Sequence, residues 1–222
     1  KLKACLDENP GIRGIMLGSH GLFTWGDTAY ESYIHTLEVI EQCASFIERN
    51  LGKKGPVFGG PKINSLSSSE RKEKAASLMP LLRGYTSSHT RMIGHFSDAD
   101  AVLEFINSRD LEKLAPMGTS CPDHFLRTKI SPLVLPLAPA EDPENVAAIH
   151  AKLLPAFEAY RKMYKEYYEQ CKHANSPAMR DPNPVVLLYP GVGMFTFAKD
   201  KPTARIASEF YINAIQLMKR SE

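Results

Sequence analysis

His20 is the first residue of this sequence whose type and setting could do chemistry. It lies in a Gly-Ser-His-Gly segment between two apolar stretches, residues 12–17 and 21–26. Small neighbours let a ligand or a metal ion approach the imidazole, and histidine nitrogen is a common ligand of zinc. Spacing alone does not define a site, because a catalytic zinc takes about three protein ligands and this histidine stands by itself. A metal ligand and a structural turn histidine are both open interpretations of His20.

Asp123, His124, Arg127 and Lys129 form a second polar cluster. A carboxylate beside a histidine can orient the imidazole, and an arginine with a lysine can bind a phosphate group. The cluster therefore predicts binding of a substrate or its phosphate. The alternative, which the general exposure of such polar residues favours, is a solvated loop leading into an exposed strand.

Composition and charge argue against several classes of function. The 222 residues carry 27 Lys and Arg against 25 Asp and Glu, and no basic run interleaves with aromatic residues, so we expect no nucleic-acid partner. No apolar stretch predicts a transmembrane helix, and no signal peptide is recognised. The four cysteines form no Cys-x-x-Cys pair, which is typical of thiols in a reducing compartment. We therefore expect a cytoplasmic protein with no membrane partner.

Alternating helical and extended patterns around these residues predict an α/β fold. We expect a helix over 2–9, strands over 12–17 and 21–26, and a helix to about 51 that begins with a capping box of Thr28 and Glu31. Residues 52–69 are rich in Gly, Pro, Lys and Ser, which is typical of a linker. This linker separates a first domain, 1–51, from a second α/β segment, 70–222.

Prolines shape the prediction for the second segment. Pro80 and Pro155 are expected to end or kink the helices that contain them, because proline removes a backbone hydrogen bond. Prolines at both ends of residues 132–136 predict an edge strand. The remaining expected elements are helices from Glu70, Asp98, Asp142 and Thr203, and strands over 91–96, 185–189 and 193–197.

One part of the sequence resembles another at an offset of 172 residues, the separation of Gly21 and Gly193. Residues 15–25 (IMLGSHGLFTW) align with residues 187–197 (LLYPGVGMFTF), and a helix is expected after each. A duplication and a chance similarity between two strand–turn–strand–helix units are both open interpretations of this pattern. Val192 stands where His20 stands in the first copy. Because valine cannot bind a metal ion, the second copy lacks at least this ligand.

Three segments carry a resemblance to known proteins. Residues 19–26 (SHGLFTWG), followed by a helix with Glu31 and Glu38, resemble the C-terminal part of class II aldolase/adducin-type domains. Residues 118–129 (GTSCPDHFLRTK) and 189–197 (YPGVGMFTF) resemble, within that class, the bacterial bifunctional rhamnulose-1-phosphate aldolase/short-chain dehydrogenase proteins. The resemblance implies a class II aldolase-like mixed sheet flanked by helices, with a partial first copy before the linker and a degenerate second copy after it.

The resemblance also implies a chemistry. His20 would be one of three histidine ligands of a catalytic zinc ion, and the other two, with a catalytic Glu, would precede Lys1. No catalytic residue is then expected within this chain, which would be an inactive fragment by itself. The implied reaction is retro-aldol cleavage of rhamnulose 1-phosphate to dihydroxyacetone phosphate and lactaldehyde. NAD would bind only to a dehydrogenase module outside these residues.

The same resemblance implies how the protein assembles and leaves one rival function. Class II aldolases build sites between subunits, which favours a homo-oligomer whose partner molecule is a phosphorylated sugar substrate. The rival, from a different class of protein, is a non-catalytic adducin-like scaffold in which the fold serves assembly. The two differ in whether a Glu and a His-x-His motif precede Lys1.

Overall fold

The computed structural model describes residues 2–18, 20–50, 53, 55–119 and 121–221. The helix end predicted near residues 51–52 lies outside the described residues, as do Ser19 and Ser120 of the family-like segments. The chain divides into two compact units, residues 1–55 (unit 1) and 56–222 (unit 2), and each is described by itself.

Unit 1 is a hairpin followed by a long helix. Its elements are α1 (Leu2–Glu8), β1 (Gly14–Leu17), β2 (Gly21–Thr24) and α2 (Ala29–Asn50). The two strands are antiparallel, with Leu17 opposite Gly21. The predicted capping box begins α2: Glu31 N–H donates to Thr28 Oγ1 at 3.1 Å, and Thr28 N–H donates to the Glu31 carboxylate at 3.2 Å. The predicted order of elements in residues 2–50 is confirmed.

Unit 2 places helices on both faces of a mixed sheet. Its elements are α3 (Ser68–Thr86), β3 (Ile93–Ser97), α4 (Asp100–Ile106), α5 (Leu111–Leu114), α6 (Pro122–Thr128), β4 (Leu133–Val134), α7 (Val146–Cys171), β5 (Val186–Tyr189), β6 (Gly193–Ala198) and α8 (Lys201–Ser221). Among the described residues the strand order is β3-β6-β5-β4. Only the β4–β5 pair is parallel, and β4 is at the edge as predicted.

Side chains of β5 and β6 alternate between two cores. On one face Val186, Leu188 and Met194 pack with α4, α5 and α8, and on the other Leu187 and Phe195 pack with α3 and α7. Because both faces are covered, these strands are continuous apolar runs in the sequence. The predicted α/β class, a mixed sheet flanked by helices, is confirmed. In the described part of the chain, no helix is long and apolar enough to cross a membrane.

Neither Pro80 nor Pro155 ends or splits its helix, so that part of the prediction is wrong, while a kink at either proline stays a prediction. α3 continues past Pro80 to its end at Thr86, and α7 continues past Pro155. Packing of each helix on the sheet outweighs the lost backbone hydrogen bond. The buried residues that flank the prolines are Leu78 and Leu82 in α3, and Leu153 and Phe157 in α7.

Two predicted helix starts are also wrong. Asp98 does not cap α4, because its carboxylate accepts hydrogen bonds from Arg71 at 2.9 and 3.1 Å. α7 begins after Asn145, whose side chain accepts the N–H of Ala148 at 3.2 Å, and not at residues 142–144. At the first of these positions Arg71 binds the carboxylate that the prediction assigns to the helix cap.

Residues 56–67, the larger part of the predicted linker, belong to unit 2. The Phe58 side chain is fully buried, with its ring 5.1 Å from that of Phe105. Pro61 forms an antiparallel bridge with Ser108. Composition alone suggests a solvated linker here, but a buried aromatic side chain fixes the segment in the core.

Candidate functional site

His20 lies in the turn between β1 and β2 with its side chain exposed. Its backbone N–H donates to the carbonyl of Leu17 at 3.1 Å, and this bond closes the turn. The imidazole is stacked near the Phe23 ring, with 6.2 Å between the ring centres. No hydrogen bond to either imidazole nitrogen occurs among the described residues, so both nitrogens are open to a metal ion or ligand.

Polar contacts fix the hairpin on α2. Thr24 Oγ1 donates to the carbonyl of Ser32 at 2.9 Å, and Ser32 Oγ donates back to the Thr24 carbonyl at 3.2 Å. His35 is half-buried, with Nδ1 2.7 Å from the carbonyl of Trp25. Sequence reasoning misses this role of His35, because nothing in the helical spacing shows that its ring reaches the end of β2. Together these contacts set the direction in which the turn presents its side chains.

The described residues supply a single candidate zinc ligand. Among them, no group of three or more His, Cys, Asp or Glu side chains is arranged to hold a metal ion. The exposed His20 imidazole suits one of the roughly three protein ligands that a catalytic zinc takes. On α2, Glu38 lies 3.4 Å from Arg13 in an ion pair, and Glu31 belongs to the helix cap. A metal site here therefore needs ligands from beyond these residues.

The structure does not bring the four residues of the second polar cluster together. A helix, α6, replaces the predicted loop; it begins with Pro122, which suits the first helical position. Asp123 and Arg127 are exposed, whereas His124 is turned inward. The His124 ring lies 4.5 Å from the Phe210 ring, and its buried Nδ1 has no hydrogen-bond partner in the described part of the chain.

Lys129 follows α6 in the left-handed backbone conformation, with φ of 64°. Its ammonium donates to the backbone carbonyls of Asp181 and Asn183 and lies 4.3 Å from the centre of the Tyr164 ring. Burial lowers the pKa of Lys129 to about 8, although the negative charge of Asp181 opposes this shift. These contacts favour a structural role for the ammonium, and phosphate binding by it stays a prediction.

Lys129 also lines a cavity of about 450 Å³ whose walls include several aromatic side chains. Phe125 from α6 and the rings of Tyr164 and Tyr167 from α7 form part of these walls. Asp181 contributes a buried carboxylate oxygen that has no hydrogen-bond partner among the described residues. The tyrosines are at helical spacing in the sequence, but the spacing does not show that they surround a lysine.

The burial of Lys129 predicts a pH dependence of stability. Because the pKa of Lys129 is about 8 in the folded chain and the ordinary pKa of lysine is 10.5, the unfolded chain binds more protons between these values. Stability therefore rises as the pH increases through 8. Urea unfolding at about pH 7.5 and 9.5 should show the unfolding free energy of the wild type rising by about 1–2 kcal/mol relative to Lys129→Met.

The control for this measurement is Lys162→Met, because the Lys162 side chain is 78% exposed on α7. This variant should follow the wild type at both pH values. An equal pH response of Lys129→Met and the wild type would show that the Lys129 ammonium keeps its ordinary pKa despite burial.

The hairpin and helix of unit 1 recur in unit 2 with the same register. Leu17 opposite Gly21 in the first hairpin corresponds to Tyr189 opposite Gly193 in the second, 172 residues later. The second turn is closed by a bond from Val192 N–H to the Tyr189 carbonyl at 3.0 Å. This bond matches the one that closes the His20 turn, so Val192 is the structural counterpart of His20.

Side-chain contacts repeat at the same offset. Thr196 Oγ1 donates to the carbonyl of Ala204 at 2.7 Å, as Thr24 does to Ser32. Asp200 caps α8 by accepting the N–H of Thr203 at 2.8 Å, as Thr28 caps α2. The two helices begin at corresponding positions. The likeness therefore extends from the sequence to the turn, the strand register and the helix cap.

Comparison with known proteins places the chain in a family. The profile of the family described as "Aldolase class II, second domain" matches residues 73–222. The chain therefore belongs to the class II aldolase family. A curated relative, described as "Uncharacterized oxidoreductase YuxG" of Bacillus subtilis (strain 168), is 30% identical over 212 residues, which are 96% of this chain. The chain spans 30% of the length of that relative. No solved structure matches this chain.

Proposed function

We propose that this chain is part of a zinc-dependent class II aldolase that cleaves rhamnulose 1-phosphate to dihydroxyacetone phosphate and lactaldehyde. The observation that carries the proposal is the exposed His20 imidazole, presented by a tight turn in a chain of the class II aldolase family. The name of the curated relative, an oxidoreductase, supports a dehydrogenase module with bound NAD elsewhere in the same protein.

In this proposal His20 binds the metal ion, and the other residues of unit 1 position His20. When bound, zinc polarises substrate oxygens and stabilises negative charge that develops during C–C cleavage. The contacts of Thr24, Ser32 and His35 fix the hairpin on α2, so the backbone of the turn that presents the imidazole is held in place before a metal ion binds. The remaining ligands and the catalytic carboxylate belong to residues outside this chain.

Residues 56–222 are, in the same proposal, a duplicated copy that no longer holds metal. Support comes from the repeated strand register, the repeated turn and the repeated threonine bond at one constant offset. Val192 is fully buried where His20 is exposed. A buried valine has no group that binds zinc, so this copy contributes a scaffold, or a site of another kind.

The test replaces His20 with alanine in the full-length protein. We expect zinc content, measured by mass spectrometry of the metal, to fall to background. The rate of rhamnulose 1-phosphate cleavage should fall by more than about 100-fold, since even outer-shell partners of a metal ligand contribute about 10–100-fold. His89→Ala is the matched control, because His89 is another exposed histidine outside this turn.

One outcome of this test decides whether His20 is a metal ligand, and another decides between the two functions. If the His20→Ala protein keeps its zinc and its cleavage rate, His20 is not a ligand. If the unaltered full-length protein binds no zinc and cleaves no ketose 1-phosphate, the non-catalytic adducin-like scaffold is the better assignment.

A further inference from the structure

A second cavity, of about 560 Å³, opens at the carboxyl ends of the parallel strands β4 and β5. Residues 135–138, which follow β4, and Pro190, which follows β5, line it. In α/β sheets the carboxyl ends of parallel strands are the usual place of ligand sites, because the chain leaves the sheet there and opens a crevice. This cavity is therefore a ligand-site candidate by its position alone.

The cavity also has a defined place in the repeat. Pro190 lies in the turn from Tyr189 to Gly193, the counterpart of the turn that carries His20. The cavity of unit 2 thus borders the turn that corresponds to the His20 turn of unit 1. It offers no imidazole from that turn, since Val192 is buried in the core.

Asn107 lies between Ile106 and Ser108, which both line the cavity. Its side-chain amide donates to Ser65 Oγ at 2.7 Å and its side-chain oxygen accepts the N–H of Gly191 at 2.6 Å. Its backbone carbonyl accepts the N–H groups of Lys62 and Ile63 at 2.7 and 3.1 Å. Asn107 is buried, and this network joins three distant segments around the opening. Hydrogen bonds to the backbone therefore fix the chain segments around the opening of the cavity.

Two cations, Lys62 and Arg109, and two carboxylates, Glu112 and Glu141, line this preformed cavity, and Glu141 is paired with Lys152 at 2.8 Å. Lys62 and Arg109 flank the bridge between Pro61 and Ser108, and both face the cavity. Among the described residues, the Lys62 side chain is held by one exposed ion pair, with Glu112 at 3.7 Å, a contact of small energy. No side-chain hydrogen bond or ion pair of Arg109 occurs among the described residues. Both cations can therefore turn to an anionic ligand.

The other lining groups suit the neutral part of such a ligand. Ile106, Leu111 and Leu135 give the cavity an apolar floor. The Glu112 carboxylate at the rim can accept hydrogen bonds from hydroxyl groups. Cations, an apolar floor and carboxylate oxygens together match a short carbon chain that carries hydroxyls and a phosphate.

We propose that this cavity of unit 2 binds a small phosphorylated polyol or sugar without a metal ion. The choice of ligand class rests on the proposed function, in which the same protein handles a ketose 1-phosphate. The phosphate contacts Lys62 and Arg109, and the hydroxyls contact Glu112.

The test titrates glycerol 3-phosphate into the 222-residue chain carrying His20→Ala, with EDTA present, and follows binding by calorimetry at low salt. We expect a dissociation constant of about 1 mM or tighter, and no heat from glycerol. Arg109→Gln and Lys62→Gln should each weaken binding about tenfold, the effect of losing a charge-assisted hydrogen bond. Lys162→Gln, on the exposed face of α7, should leave binding unchanged.

Failure of this site and failure of the proposed function give different results. No binding at about 10 mM ligand, or binding that Arg109→Gln and Lys62→Gln leave unchanged, overturns the site whatever the cleavage assay shows. Binding lost in these two variants supports the site even if the full-length protein cleaves no sugar phosphate. Far-UV circular dichroism of each variant verifies that lost binding does not reflect unfolding.

Discussion

Replacing Gly118 with alanine is expected to lower the unfolding free energy of unit 2 by more than about 3 kcal/mol, or to prevent folding. Gly118 has φ of 69° and ψ of −130°, a conformation that side chains other than glycine rarely adopt. A Cβ atom there would lie 1.8 Å from the carbonyl oxygen of Ile130. Because that oxygen belongs to the backbone, only a shift of the chain before β4 relieves the clash.

Urea unfolding followed by far-UV circular dichroism measures this effect, and Gly84→Ala is its control. Gly84 is an exposed residue of α3 with no atom within 4 Å of an added Cβ. Alanine at this helical position should raise the unfolding free energy by about 0.5–1 kcal/mol. The two substitutions add the same methyl group, so opposite signs isolate the joint effect of the positive φ and the close approach at Gly118. Similar small effects for both would contradict the contact between Gly118 and Ile130.

Local sequence signals predict the elements of this fold well where the residues that determine an element all lie within one short segment. The capping box of Thr28 and Glu31 begins α2, and the apolar runs of β5 and β6 predict buried strands. The signals fail where the cause lies elsewhere in the chain. Asp98 is a reasonable cap by its own sequence, but Arg71 binds its carboxylate from 27 residues away.

The candidate sites follow the same rule. The turn of His20 is predictable because small residues separate two apolar strands within a few positions. The burial of Lys129 is not predictable, because the carbonyls that accept its hydrogen bonds lie 52 and 54 residues further along the chain. The role of Asn107 gives no signal in the sequence, because its partners come from two segments far from it in the chain, residues 62–65 and Gly191.

The repeat provides a comparison of one substitution in two environments. Phe23 and Phe195 occupy equivalent positions, opposite Ile15 in β1 and Leu187 in β5 respectively. Phe195 is fully buried and its ring lies 5.1 Å from that of Phe96, whereas the Phe23 side chain is 52% exposed. Phe195→Ala should therefore lower the unfolding free energy by about 3–5 kcal/mol, the usual effect of emptying a core site.

Phe23→Ala in the same chain should lower the unfolding free energy by less than about 1 kcal/mol, because little packing is lost at an exposed position. Urea unfolding, with hydrogen exchange of the peptides that contain each hairpin, distinguishes the two effects. Equal effects in the 222-residue chain would contradict the exposure of Phe23. If Phe23→Ala has a small effect in this chain but a large one in the full-length protein, residues outside the chain cover this face of β2. In the full-length protein the first hairpin would then be buried, as the second hairpin is in unit 2. The His20 turn would lie at the edge of that core.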